Sequence, residues 1–278
     1  MNRPEEIILS RQNALVKLTA SLTERKFRER EGLFRFDGKK LFLEALDAGL
    51  PLFSVLFKES TADRLCAAAG DRTLPPDCRG VILSDELFDR ISEEKAPEGV
   101  ICVSRRLEGL HRFVKAEDTC RLQDVLVSGR TLLLESVRDP GNLGTVIRSA
   151  AAFGITQLVL SSDCADLYHP RVIRAAMGTL FHTRVVVTEA LAPAIRHLRA
   201  SGEVYAAALD AGAARLGEIT FGARDAVVVG NEGHGLSAEV LEACTQKVYI
   251  PMAEGVESLN AGVAASVLLW ELYRGGHT

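Results

Sequence analysis

Between residues 130 and 275 short apolar runs alternate with segments of helical period, and this alternation constrains the fold more than any other feature of the chain. Residues 131–137, 157–160, 184–187, 204–209, 226–229 and 247–250 read as strands, and 142–153, 170–177, 191–200, 237–243 and 259–273 as helices. Strands that are continuous Val, Leu and Ile runs are buried on both faces. They imply an α/β fold with a parallel sheet covered by helices. In such a sheet ligands sit beyond the carboxyl ends of the strands, so those loops are where chemistry is expected.

Residues 1–105 read as a smaller α/β unit, with helical pieces over 5–50 and strands at 53–57, 81–83 and 100–103. Residues 106–129 carry many charges and no sustained period, and read as a connector. The expected organisation is therefore 1–105, a linker 106–129, and 130–278.

No apolar run approaches the ~18 residues of a membrane span, and the first residues lack the pattern of a signal peptide. A cytoplasmic protein without membrane contact is the expectation. The six cysteines contain no C-x-x-C pair, which speaks against a zinc site or a disulfide framework. The net charge of −4 is unevenly spread: residues 1–40 hold ten Lys/Arg and six Asp/Glu, a local +4, leaving −8 for the remainder. A whole-chain pI of about 5.9 thus does not exclude a local basic footprint for a phosphate backbone.

Three loops carry candidate chemistry. After 131–137 comes Arg138-Asp139-Pro140-Gly141-Asn142, with Asn142 placed to cap the next helix and Arg148 six residues on. After 226–229 comes Gly230-Asn231-Glu232-Gly233-His234-Gly235, whose glycines permit close approach of backbone to a ligand. It is neither G-x-G-x-x-G nor a Walker loop, so neither a dinucleotide nor a nucleoside triphosphate is indicated. After 247–250 comes Pro251 to Asn260, where Ser258 or Asn260 is placed to cap a final helix rich in small residues. Taken singly each loop also fits an ordinary capped turn, a solvated acid or a tightly packed helix. Together they set Asn142, Arg148, Glu232, Ser258 and Asn260 at strand ends of one sheet, a convergence an active site requires.

The segments DPGNLGTVIRSAAAFG, VVVGNEGHGLS and YIPMAEGVESLNAGVAASVLLWEL, in that order, resemble the three motifs of the SpoU (TrmH-like) RNA ribose 2′-O-methyltransferases of the SPOUT superfamily. The likeness spans about 130–278. The first 100 residues more loosely resemble an L30e-like RNA substrate-binding domain, through Ile8–Lys17 and GLFRFDGKKLFLEAL. The resemblance implies a deep trefoil knot, an S-adenosyl-L-methionine cofactor and a homodimer through the SPOUT domain. It implies catalytic roles for Arg148, Asn142, Glu232, Ser258 and Asn260, and cofactor contacts by Gly230, Ile250 and Leu259, with Leu209, Gly235 and Met252 as further candidates. Arg25, Lys26, Arg28, Arg30, Arg171 and Arg174 are expected to contact RNA, with 23S rRNA as the expected substrate. A tRNA ribose methyltransferase, or an RNA-binding assembly factor without catalysis, remain the alternative readings. No metal is expected.

Overall fold

The computed structural model describes residues 1–210, 212–256 and 258–275. The chain divides into two compact units: residues 1–107 with 166–182, and residues 108–165 with 183–278.

The first unit is built on a five-stranded sheet in the order Ile7–Ile8, Arg79–Leu83, Leu52–Lys58, Val100–Arg105, Leu33–Asp37. Val100–Arg105 runs antiparallel to both of its neighbours, and the other pairings are parallel. The strand Leu33–Asp37 lies where helix was expected. Gly32, at φ +64°, stops the helix Arg25–Glu31, and the next five residues enter the sheet. Arg35 breaks the apolar run yet is fully buried, because its guanidinium donates to both carboxylate oxygens of Asp37 at 2.7 Å and to Ile91 O at 2.9 Å.

This unit is discontinuous in sequence. The segment 166–182 belongs to it: the Tyr168 ring stacks on Phe34 at 4.6 Å, and Phe181 packs on Phe36 at 5.2 Å. Tyr168 Oη accepts from Leu107 N at 2.9 Å. Arg28, 1% exposed, donates to Asp166 Oδ2 through Nε at 3.0 Å and Nη2 at 2.5 Å.

The second unit holds eight strands in the order Ala214–Arg215, Gln246–Tyr249, Val204–Ala207, Ala226–Val229, Thr131–Leu134, Gln157–Ser161, Val185–Thr188, His111–Val114. Every pairing is parallel, as expected of apolar strands buried on both faces. Leu133, Val159, Val186, Ala206 and Val228 face Leu191, Ile195, Leu198 and Val240 in one core. The two edge strands were not anticipated. His111–Val114 lies inside the segment read as a linker, so 106–129 is no simple connector. Val127 is tied to the sheet as well, accepting from the buried Gln157 side chain at 2.6 Å and donating to it at 3.1 Å. No helix among the described residues is long and apolar enough to cross a membrane.

Candidate active site

Three loops at the carboxyl ends of strands of the one parallel sheet build the site in the second unit. The first leads from Thr131–Leu134 into the helix Pro140–Ala152. Asp139, not Asn142, caps that helix, its Oδ1 accepting from Asn142 N at 2.8 Å. A residue N-terminal to Pro140 is free of helical dihedrals, as a cap must be, whereas Asn142 already lies in the first turn. The Asn142 side chain is thereby released for the site. Its Nδ2 donates to Glu232 Oε1 at 2.5 Å, and its Oδ1 accepts from Asn260 Nδ2 at 3.0 Å.

The second loop follows Ala226–Val229. Asn231 and Gly235 pair backbone to backbone in both directions, and Asn231 Oδ1 accepts from Gly233 N at 2.8 Å. Gly230 is where the chain cannot carry a side chain: a Cβ there would lie 2.4 Å from Gly235 O. The loop is held from below by residues that the sequence reading passed over. Glu135 accepts from Ser237 N at 2.8 Å and from its Oγ at 2.6 Å, and Ser136 O accepts from Asn231 Nδ2 at 2.9 Å. An acid terminating an apolar strand, as Glu135 does, was the available signal.

The third loop ends at Asn260, which caps the helix Ala261–Arg274 by accepting from Gly262 N at 3.0 Å and Val263 N at 3.3 Å. Asn260 thus both starts this helix and supports Asn142. Ala261 N also donates to Glu232 Oε1 at 3.3 Å. One carboxylate oxygen therefore gathers all three loops. The two helices are joined further along by Ser149 and Ser266, whose hydroxyls lie 2.8 Å apart.

Beside this cluster lies a cavity of about 410 Å³, within the ~300–1,000 Å³ range of small-molecule sites. Leu209, Gly230, Gly235, Ile250, Met252 and Leu259 all line it, as do Glu232 and Ser258. Leu236, Leu241 and Val248 give it an apolar wall, and Asp210 and Lys247 a charged one.

Arg148 is not brought to this cluster within one chain. Six residues beyond Asn142 it projects about 120° away around the helix axis. It is exposed, it does not line the cavity, and it makes no hydrogen bond or ion pair among the described residues.

The six candidate RNA contacts all lie in the first unit, and one of them is overturned. Arg28 is buried and spent on Asp166 and on the Leu22 and Thr23 carbonyls at 2.8 and 2.7 Å, so it is a structural residue. Arg25, Lys26 and Arg30 are exposed, in ion pairs with Glu29, Glu24 and Glu31. Arg171 and Arg174 are exposed on a helix capped by His169, with Arg174 3.9 Å from Glu94.

Comparison with known proteins gives two family matches, the SpoU rRNA Methylase family over residues 129–270 and the MRM3-like substrate binding domain over 13–102. The chain is 32% identical to the Bacillus subtilis 23S rRNA (guanosine(2553)-2′-O)-methyltransferase RlmP, over 95% of this chain and 98% of that one. Among solved structures, an AdoMet-bound rRNA methyltransferase from Sinorhizobium meliloti superposes with a TM-score of 0.79 at 26% identity, covering 97% of each chain. A protein assigned to the TrmH family of RNA methyltransferases from Porphyromonas gingivalis superposes with 0.78 at 31% identity, covering 95% of this chain and 99% of that one.

Proposed function

The chain belongs to the SpoU rRNA methylase family, and from that premise we propose that it transfers a methyl group from S-adenosylmethionine to a ribose 2′-hydroxyl of large-subunit ribosomal RNA. The observation that carries this reading is the hydrogen-bonded set Asn142–Glu232–Asn260 beside a cavity lined by all six residues expected to contact the cofactor. The cavity suits an adenosyl sulfonium. Its wall is largely apolar, and its acidic side chains, Asp210 and Glu232, outnumber the single lysine, Lys247.

S-adenosylmethionine, when bound, supplies a methyl group on a sulfonium that needs no acid to leave. The protein's part is to position a weak nucleophile and shield the sulfonium; as the oxygen–methyl bond forms and the sulfur–methyl bond breaks, the hydroxyl proton is released to bulk water. Glu232, held by Asn142 and Ala261 N, fixes the glycine loop against the cavity. Ser258 lines the cavity with its side chain uncommitted among the described residues. Arg148 orients the target phosphate and ribose through its planar fork. Because it stands apart from Asn142 within one chain, we assign it to a site completed by a second protomer. The half-exposed Val263 and Trp270 on the helix Ala261–Arg274 supply apolar surface for such a homodimer. The strand Gln246–Tyr249, inserted between two strands that precede it in sequence, is where the chain would thread the trefoil knot. The same proposal sets the protein in the cytoplasm.

Gly230→Ala is expected to displace the Asn231–Gly235 turn, since the new methyl meets backbone rather than a flexible side chain. Calorimetry should show cofactor affinity at least about tenfold weaker, a cost of ~1.4 kcal/mol. In the first unit, Lys26→Glu with Arg30→Glu should weaken RNA binding and reduce the slope of log K against log salt by about 0.7–0.9 for each phosphate no longer neutralised. An unchanged slope assigns both side chains to solubility alone. Transfer of tritiated methyl to total rRNA compared with total tRNA tests the substrate: label in rRNA is expected, and label confined to tRNA would contradict it.

A further inference from the structure

Of the charged side chains lining the cavity, Glu232 is committed to the three-loop cluster. Asp210 and Lys247 remain, and beyond the overall charge of the wall the reading above gives them no contact with the cofactor. Asp210 lies just past the end of Val204–Ala207. Lys247 lies on the neighbouring parallel strand, in register with Ala206. Lys247 Nζ donates to Asp210 Oδ2 at 2.6 Å, and Asp210 Oδ1 accepts from Gly212 N at 2.9 Å. The lysine hydrogen bond, with the Gly212 amide, holds the Asp210 carboxyl below the usual carboxylate range. It is therefore an anion at neutral pH.

An exposed ion pair contributes little to stability, and this one is 42% exposed at Asp210 and 36% at Lys247. Its value is in what it presents to the cavity. Among the described residues each carboxylate oxygen uses one acceptor position of two, and the ammonium uses one N–H of three. The pair thus offers adjacent open acceptors and open donors. Two neighbouring hydroxyls ask for that combination, since each donates one proton and accepts through its lone pairs. Acidic side chains at strand ends recognise ribose hydroxyls in other α/β folds on the same ground. A ligand covering the pair would also exclude the water that weakens it.

We propose that Asp210 and Lys247 recognise the vicinal hydroxyls of the cofactor's ribose. The assignment rests on the S-adenosylmethionine reading above and adds to it the residues that distinguish a ribose from a deoxyribose in the cofactor.

The test is titration calorimetry with S-adenosylhomocysteine, its 2′-deoxy and 3′-deoxy counterparts, and 5′-methylthioadenosine, on the wild-type protein, Asp210→Asn and Lys247→Met. The wild type should bind the ribose form about 10–100-fold tighter than either deoxy form, as expected for a hydrogen bond to a charged group. Asp210→Asn should weaken S-adenosylhomocysteine and methylthioadenosine alike by about tenfold or more, and bring the deoxy forms level with the parent. Lys247→Met should shift all four in the same direction by less. Full discrimination retained in Asp210→Asn overturns the assignment and leaves the cofactor reading intact. So does a loss seen with S-adenosylhomocysteine but not with methylthioadenosine, which would place the pair on the amino-acid end. Failure of the wild type to bind S-adenosylhomocysteine overturns the cofactor reading itself.

Discussion

Replacing Asp166 by alanine is expected to destabilise the first unit by about 3–5 kcal/mol, the cost of leaving a buried charge without its partner. Arg28 cannot turn to water. It is 1% exposed and pinned by two backbone carbonyls, with Asp166 supplying the only carboxylate that its guanidinium reaches among the described residues. Measured against the ~5–15 kcal/mol of a typical domain, such a loss moves the unfolding midpoint far down in urea. Asp166→Asn keeps an acceptor at the same place and should cost clearly less. Equal midpoints for wild type and Asp166→Ala would show that the pair contributes no stability. A consequence follows for fragments: residues 1–107 alone lack Asp166, Tyr168 and Phe181, and should not reproduce the stability of the unit in the full chain.

The second large effect is on turnover. Arg148→Ala should lower methyl transfer by about a hundred- to a thousandfold, as expected when a preorganised charged group that orients the reacting centre is removed. Cofactor affinity should stay within about threefold, because Arg148 does not line the cavity. Its side chain is exposed and supports no neighbour among the described residues, so thermal melts of the variant should match the wild type and separate the loss from a folding defect. Mixing Arg148→Ala with Glu232→Ala chains should restore measurable turnover if Arg148 serves a neighbouring protomer's site. No recovery on mixing, with exchange of chains verified, would confine the site to one chain. Wild-type turnover in Arg148→Ala alone would remove it from the mechanism.

The catalytic sheet was legible because its strands are apolar runs separated by helical periods, and periodicity reports local structure well. What escaped was set by partners distant in sequence. Arg35 hides a strand because its charge is neutralised two residues away at Asp37 and its donors end on the Ile91 carbonyl. The helix Pro170–Ala176 was expected, but nothing local indicates that residues 166–182 complete a sheet begun more than a hundred residues earlier. Arg28 sits among exposed Arg25, Lys26 and Arg30 on one short helix, and only Asp166 reveals that it points inward. In the candidate site, residue types identified Asn142, Glu232 and Asn260. The structure supplied their connection, including the transfer of the capping role to Asp139 that frees Asn142. Glu135 was missed because its bonds run to Ser237, 102 residues on.

Methyl transfer to a ribose oxygen is decided by the identity of the acceptor atom. Ribosomal RNA labelled by the protein and tritiated S-adenosylmethionine can be mapped to its nucleotide, and that nucleotide then replaced by its 2′-deoxy form in a synthetic fragment. The label is expected in a 2′-O-methyl nucleoside from the ribose fragment, with none in the deoxy fragment. Label on a base, or undiminished labelling of the deoxy fragment, would exclude ribose 2′-O-methylation.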